Sequence, residues 1–555
     1  MRLSLLKSKF IGILVFFSLL ISQSYSPEMF SLNSVNSDTF LTEGLSSNMI
    51  AEIRLMGDSL TWLGTGQGLA LHDGNKIYSH RFTTDSLVNG QTTKLVPYGG
   101  IPAISVMNDT MVVSFSGDNG TIQVGLGLTL TYNSQQINDS SGIDWIYLQQ
   151  PIDLESDTLR PFGEGFFRSL PVTVPEANVT YDAMLSGDYL WIASWAGGLR
   201  RYDLNTKIWE VIPMPMDDQD SLSLCTGFNE DDNILPGYFL NPRDPADGGN
   251  HNHKAFSVLV NGDTVWVGTA NGVNRGIMID EWVEVSPGNI QKFNCIEWVH
   301  YSYPDLSGNF VVGLARQKWE GRTTIWAATM NADTPGETRG LSYTRDGGLT
   351  WQTTLLGQRI YNITARDSLV LASSKSGLWK SYDGENWAVF SPAVDTTFMS
   401  RDEILTDVVY TSVIDERNGQ SNLWIGTSNG AAYSSDLNGS SWTIFQTEYD
   451  TLDFYAYPNP FSPNHHNQSG NEGYVRFHTG TIINRDVELD IFNFAMEKVY
   501  QYDYDLNTYN GALKWNGRDM NGFMVDNGVY FIRMKYSPSI NSSPRYFWDK
   551  LILVK

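Results

Sequence analysis

"LWIGTSNGAAYSSDLNGSSWTIF", Leu423 to Phe445, is the stretch that decides the fold. An alternating, β-rich run around Trp424 ends at a turn containing Asn429 and Gly430. A second short run follows, then a polar turn with Asp436, then a third run opened by Trp442. Period-two alternation between turn residues reads as strand, hairpin, strand, turn, strand. The glycine supplies the positive φ that a tight hairpin needs. Small residues such as Gly426 and Thr427 let the Trp424 strand pass close to a crowded centre.

The pattern recurs with Trp62 and Gly68, Trp191 and Gly198, Trp266 and Gly272, and Trp326 and Gly340 after an insertion. Val370 and Gly377 form another copy, and "MVVSFSGDNG" around Val112 a weaker one. One such sheet cannot bury both faces, whereas sheets stacked radially cover one another and fill the space between them with tryptophan. Seven copies at this spacing predict an all-β chain with a seven-bladed β-propeller. Residues near Phe40, in the stretch Thr39 to Ile53, are expected to give the last blade its outer strand and so lock the ring.

The bulk properties fit. The 555 residues carry 61 acidic against 37 basic side chains, a net charge of −24, with 50 glycines and 13% aromatics. Such a charge disfavours nucleic acid and anionic membranes as partners. At the N-terminus, Arg2, Lys7 and Lys9 precede an apolar stretch from Phe10 to Ile21, too short for a comfortable span. Residues 1–26 are therefore expected to be a signal peptide, making the protein secreted, extracellular or on the outer cell surface, with no transmembrane span in the mature chain. Cys225 and Cys295 are the two cysteines, and in an exported chain they are a candidate disulfide; separate buried thiols are the alternative.

Three polar turns resemble the Asp-box of propeller proteins. "TRDGGLTW" carries Asp346 and Trp351, "SYDGENW" Asp383 and Trp387, and "SSDLNGSSW" Asp436 and Trp442. The "WLGTGQGL" and "WVGTANGV" runs resemble two-component-regulator propeller repeats. The expected role of each Asp is to cap its own turn, and of each Trp to pack between strands.

The propeller is expected over 27–449, a Pro-rich linker over 450–471, and a β-sandwich over 472–555, with its motifs beginning near 455. "YPNPFSP" with Pro458, Asn459 and Pro460, "LDIFN", "WNGRDMNGFMVDNGVYFIRM" with Trp515, Gly517, Gly522 and Gly528, and "KLILVK" with Lys550 and Lys555 resemble the C-terminal sorting domain of type IX secretion substrates. That domain is similar to the Ig-like module of flagellar hook-capping proteins. The resemblance implies secretion machinery as a partner of the tail. Where the family has a D-x-x-G turn, this chain has Phe494-Ala495-Met496-Glu497.

The insertion between the third and fourth copies is the candidate binding loop, with Asp217, Asp218, Asp220, Glu230, Asp231, Asp232, His251 and His253. Carboxylates suit calcium and histidines zinc, but without EF-hand spacing the reading is a solvated acidic loop, with no metal assigned and calcium the low-ranked cofactor. Sialidases carry Asp-boxes too, yet their F/Y-R-I-P motif is absent, and "FFRSLP" at Phe166 to Pro171 is a distant echo. No G-x-S-x-G, P-loop or H-E-x-x-H stands in the chain, so no catalytic residue is assigned. Two functions remain: a surface binding scaffold for polysaccharide or protein and, as the alternative, a glycoside hydrolase-like enzyme with a cleft across the propeller.

Overall fold

The computed structural model describes residues 41–80, 85–88, 91–94, 99–135, 143–163, 165–229, 231–286, 289–390, 393–395, 402–417, 419–447, 454–468, 473–479, 486–506, 512–537 and 543–555. The expected signal peptide, Phe40 and Glu230 lie outside them. The described residues are strands and turns, with two short 3-10 turns at Pro245–Asp247 and His251–His253.

Seven sheets each run four antiparallel strands in chain order. The stretch Leu423 to Phe445 supplies three strands of the seventh sheet, Asn422–Thr427, Gly430–Ser434 and Trp442–Phe445, beside a first strand at Val409–Asp415. The first strands of all seven are Ile50–Met56, Ile104–Met107, Thr180–Ser186, Ala255–Asn261, Phe310–Trp319, Ile360–Arg366 and Val409–Asp415. Each touches the next, and the last touches the first. This radial arrangement, in which every sheet face is covered by a neighbour, is a β-propeller.

Each tryptophan of the repeat is buried against the following sheet. Trp62 meets Trp145 edge-on at 6.4 Å, Trp266 meets Trp351 at 6.2 Å, Trp326 meets Trp387 at 6.3 Å, and Trp424 meets His72 at 5.0 Å. Such pairs add to the area that aromatic rings bury. The small residue two positions on is required by contact. A Cβ at Gly64 would stand 2.7 Å from Ile101, one at Gly268 2.7 Å from Val311, and one at Gly426 2.8 Å from Ile50. The hairpin beyond it is held by a hydroxyl: Thr65 Oγ1 donates to the Gly68 carbonyl (2.8 Å), Ser374 Oγ to Gly377 (2.7 Å) and Thr427 Oγ1 to Gly430 (2.8 Å).

Ring closure differs from the expectation at Phe40. The strand Leu41–Glu43 pairs with Ile77–His80, making it a fifth, outermost strand of the first sheet rather than the last. The seventh sheet is complete without it, so no strand is exchanged. Instead the two sheets meet face to face and through polar ties. Gly430 N–H donates to the Asn48 carbonyl at 2.5 Å, Thr447 N–H to Asn48 Oδ1 at 2.7 Å, and the Arg417 guanidinium to Thr61 Oγ1 at 2.9 Å.

The insertion is also more ordered than a solvated acidic loop. Ser221–Ser223 pairs with Asn289–Tyr301 as a fifth strand of the fourth sheet. Ile234–Leu240 runs parallel to Gly165–Ser169, the strand that contains most of the "FFRSLP" run. Its apolar residues Leu222, Leu224, Leu235 and Tyr238 join one core with Trp191, Val265 and Trp298. Sequence polarity hid this, because the acidic side chains sit at the turns between buried positions.

The tail places two sheets over one core. Tyr455–Tyr457, Val475–His478 and Leu513–Trp515 form one; Asp486–Phe492, Lys498–Asp505, Gly528–Tyr536 and Arg545–Leu553 form the other. The Pro-rich stretch is not a free linker where it is described. Phe454, Ala456 and Phe461 are buried in this core. At Asn493 to Glu497 the turn closes without glycine: Met496 holds φ 61°, and Asn493 Oδ1 accepts the Glu497 N–H at 2.9 Å.

Candidate functional site

Six of the first strands carry a register skip near their start, at the second residue for Ala51, Tyr181, Phe256, Tyr361 and Tyr410 and at the third for Val312. A bulge breaks the alternation and turns consecutive side chains the same way. In several strands two adjacent half-buried residues follow the buried first one, as in Ala51 with Glu52, Tyr181 with Asp182 and Tyr361 with Asn362. The bulges sit at the end of the ring where the second-to-third-strand hairpins also lie, because antiparallel neighbours bring both to one edge.

The result is an aromatic rim. Tyr181 lies 5.2 Å from Phe256, and Phe256 lies 4.4 Å from Phe310 and 5.4 Å from Trp195. Across the ring, Tyr361 and Tyr410 meet at 5.1 Å. Cations stack on the rim: Lys254 Nζ over Trp195 at 4.9 Å and the Arg359 guanidinium over Tyr361 at 5.5 Å. Lys254 is buried and donates to the carbonyls of Pro242 (3.2 Å) and Arg243 (2.9 Å), so it also ties the insertion to the rim.

One position along, two carboxylates face inward. Burial pushes Glu52 up to about 7, against the nearby Arg54 guanidinium, 2.7 Å away. Burial likewise pushes Asp182 up to about 6, although it accepts the Val258 N–H at 2.9 Å. The hollow beside Ala51, between Met49, Ile101 and Tyr181, measures about 20 Å³, room for about one water.

The residues expected to form a binding loop have other partners. Asp217 accepts the N–H groups of His251 (2.9 Å) and Asn252 (2.7 Å), pinning the 3-10 turn. His253 is buried, its Nε2 3.3 Å from the Tyr238 hydroxyl, and burial holds it down at about 4, hence neutral. Asp218, Asp220, Asp231 and Asp232 are exposed, and Asp232 caps the turn at Ile234. Among the described residues no three His, Cys, Asp or Glu side chains are grouped to hold a metal. Cys225 and Cys295 are joined by a disulfide with Cα atoms 5.0 Å apart, fixing the insertion to the fourth sheet.

The aspartates of the three polar turns hold those turns. Asp346 accepts the Thr350 N–H at 2.9 Å and its hydroxyl at 2.6 Å, which with Thr344 keep its carboxyl down at about 2. Asp383 accepts two N–H groups and the Asn386 amide, which lower it likewise. Asp436 accepts the Asn438 N–H at 2.6 Å. Trp442 is buried with Leu369, Leu371 and Ile444.

In the tail, two segments far apart in sequence meet. Asn459 Nδ2 donates to the Lys550 carbonyl (2.5 Å), its Oδ1 accepts the Ile552 N–H (3.0 Å), and Phe461 exchanges backbone bonds with Ile552 and Val554. Pro458 and Pro460 flank that Asn459. Trp515 Nε1 donates to Arg518 O at 2.7 Å, Gly517 and Gly522 take positive φ, and the Lys555 N–H caps on Asn527 Oδ1 at 2.8 Å, one residue before Gly528. Asp407 of the ring pairs with buried Arg476 of the tail, and Asp407 N–H donates to Asn467 Oδ1 at 3.0 Å. A wider hollow of about 550 Å³ lies on the tail between Tyr474, Tyr502, Lys514 and Arg518.

No protein-family model and no curated protein matches the sequence. Among solved structures the chain is similar to PorZ, described as an essential bacterial surface component of the type-IX secretion system of Porphyromonas gingivalis. That likeness has 12% identity over 91% of this chain and 65% of that one, TM-score 0.30. The chain therefore spans about two thirds of PorZ. YCF48 bound to a D1 peptide matches at 11% identity over 75% of this chain and all of that one, TM-score 0.36. The Cps50 (Swd1) β-propeller domain of Myceliophteria thermophila matches at 10% over 74% of this chain and all of that one, TM-score 0.33. At these values the likenesses carry no argument about function. Among the described residues no helix is long and apolar enough to cross a membrane.

The sequence reading missed the rim. Its signal was available in register: aligned on their bulges, six first strands place Tyr181, Phe256, Tyr361 and Tyr410 at the second position and small or polar residues at the third.

Proposed function

We propose that this protein is an exported binding scaffold: a seven-bladed propeller whose rim holds a polysaccharide or protein, with an Ig-like tail that serves as its type IX sorting module. The observation that carries the binding role is the run of half-buried aromatic rings at one end of the ring, Tyr181, Phe310, Tyr361 and Tyr410 with Trp195. Aromatic faces supply contact area with a polar tip, the composition of ligand sites. The Cys225–Cys295 bridge supports an oxidising compartment. For the tail, the support is that the two resembling motifs, around Asn459 and around Ile552, recognise each other and form one surface.

The second reading, a glycoside hydrolase, is favoured by Glu52 and Asp182, inward-facing carboxylates raised to about 7 and about 6. A protonated carboxyl near neutrality suits a general acid. Against it stands the hollow lined by the adjacent Ala51 and Tyr181, about 20 Å³, which neither carboxylate lines and which is far below the size of a sugar ring.

A glycan-array and hydrolysis screen on the purified protein separates the two. Binding without turnover, lost in Tyr410→Ala, is the expected result; release of reducing ends abolished in Glu52→Gln would replace it with the enzyme. For the tail, deletion of residues 455–555 should leave a folded ring in the periplasm. Normal yield of the truncated chain outside the cell would end the sorting role.

A further inference from the structure

Three cations gather on one side of the rim in a chain with 61 acids against 37 bases. Arg339 ends the insertion between the second and third strands of the fifth sheet, Arg359 leads into the first strand of the sixth, and Lys375 lies in its hairpin. All three positions are at the rim end of their sheets. Backbone bonds hold them together: Gly357 N–H donates to Arg339 O at 2.8 Å, and Lys375 N–H to Arg359 O at 3.0 Å. Arg339 Nε donates to the Gly357 carbonyl at 2.7 Å, which aims the guanidinium along this segment. The Arg359 plane stacks on Tyr361, which meets Tyr410.

Arg339 and Lys375 make no ion pair with any carboxylate among the described residues, and both are exposed. Although the residue is exposed, partial withdrawal of its amine from water, then the Arg359 and Arg339 guanidiniums, push the Lys375 amine down. The tail's His466, itself lowered by burial and by Lys375, bounds the cluster on its other side. Arg339 and Lys375, like charges held close with no ion pair to a described carboxylate, repel each other at a cost in free energy that an arriving anion would relieve.

We propose that the rim, read as a ligand site above, takes an acidic saccharide, with Tyr361 and Tyr410 against the sugar and Arg339, Arg359 and Lys375 on its carboxylate or sulfate. This rests on the binding-scaffold reading and narrows it to one ligand chemistry. A guanidinium fork matches a carboxylate in two parallel bonds, and an ammonium adds a point charge. The adjoining tyrosines favour a saccharide over an acidic peptide, because sugar rings present flat C–H faces and a peptide would call for backbone N–H groups or a free sheet edge.

The test uses the full exported chain and three probes: oligogalacturonate, a neutral galactan of equal length, and a hexaglutamate peptide. Oligogalacturonate should bind, weaken as salt rises, and lose about tenfold in affinity in each of Arg339→Gln and Lys375→Gln, a charge-assisted hydrogen bond being worth roughly that factor. Thermal melting of each variant within a few degrees of the parent shows that folding is intact. Equal binding of the neutral galactan, unaffected by either variant, would overturn the acidic ligand while leaving the binding scaffold standing. Binding of hexaglutamate alone would overturn the saccharide. Binding of none of the three would overturn the inference and count against the scaffold reading as well.

Discussion

The fifth to seventh sheets and the third and fourth sheets solve the same problem differently. In the former, each outer turn is closed by a carboxylate a few residues from its partners, as Asp346 is by Thr350 at 2.6 Å and Asp436 by Asn438 at 2.6 Å. In the latter, long-range ties are added: the third sheet keeps a local cap, Asp203 accepting the N–H groups of Asn205 (2.7 Å) and Thr206 (2.9 Å), but more distant contacts join it. Asp153 reaches Arg200 at 2.8 Å and Arg160 at 2.7 Å, a parallel pair joins Gly165–Ser169 to Ile234–Leu240, and the disulfide spans 70 residues. The comparison teaches that one ring can hold blades specified by local turn chemistry beside blades that add remote contacts to it. It also predicts where each half breaks.

The largest expected effect belongs to the disulfide. Replacing both cysteines with serine should cost about 4 kcal/mol from loop-closure entropy. Limited proteolysis should then cut within 221–240 while the fifth to seventh sheets stay resistant. Equal sensitivity of both halves would remove the distinction.

Next is Asp153→Ala. Burial alone would raise this carboxyl, but Arg200, the Val172 N–H and Arg160 outweigh it and hold it below its usual range. Its loss leaves the Arg200 guanidinium buried without its counter-charge, at a cost of about 3 kcal/mol. Denaturant unfolding should show that loss, and a change below about 1 kcal/mol would mean that the ions are solvated.

Gly426→Ala tests what both halves share. Its Cβ would meet Thr411 at 2.7 Å and Ile50 at 2.8 Å, across the joint between the seventh and first sheets. Overpacking there should cost about 2 kcal/mol. An unchanged melting temperature would show that the ring yields at its closure.

Asp346→Asn should have the smallest effect, confined to the fifth sheet. The folded carboxyl titrates at about 2, below the usual carboxylate value of 3.8. Its contribution is therefore complete above about pH 4 and is lost as pH falls toward 2. Parent and variant should differ at pH 6 and converge near pH 2 in melting temperature. A difference that persists at pH 2 would mean that the turn does not depend on the charge.

Much of the ring was legible because its rules are short-range. Trp424, Gly430 and Asp436 lie within a few residues of what they fix, so spacing alone reveals strand, hairpin and cap. The rim was not. Tyr361 and Tyr410 are 49 residues apart by number and meet only when neighbouring first strands stand side by side. The acidic insertion misled in the opposite sense: Asp217 and His253 look like ligands, yet one caps a turn and the other is packed against Tyr238.

The sequence by itself determined the repeat and the turn chemistry, since alternation and turn preference act between near neighbours along the chain. Only the tertiary structure decided that Leu41–Glu43 stays with its own sheet, that the insertion lends a strand to the fourth sheet, and that Arg339, Arg359 and Lys375 share one edge of the rim. Those outcomes depend on which surfaces meet once the ring closes. Contact between remote segments is set by packing and the burial of polar groups, which no local pattern encodes.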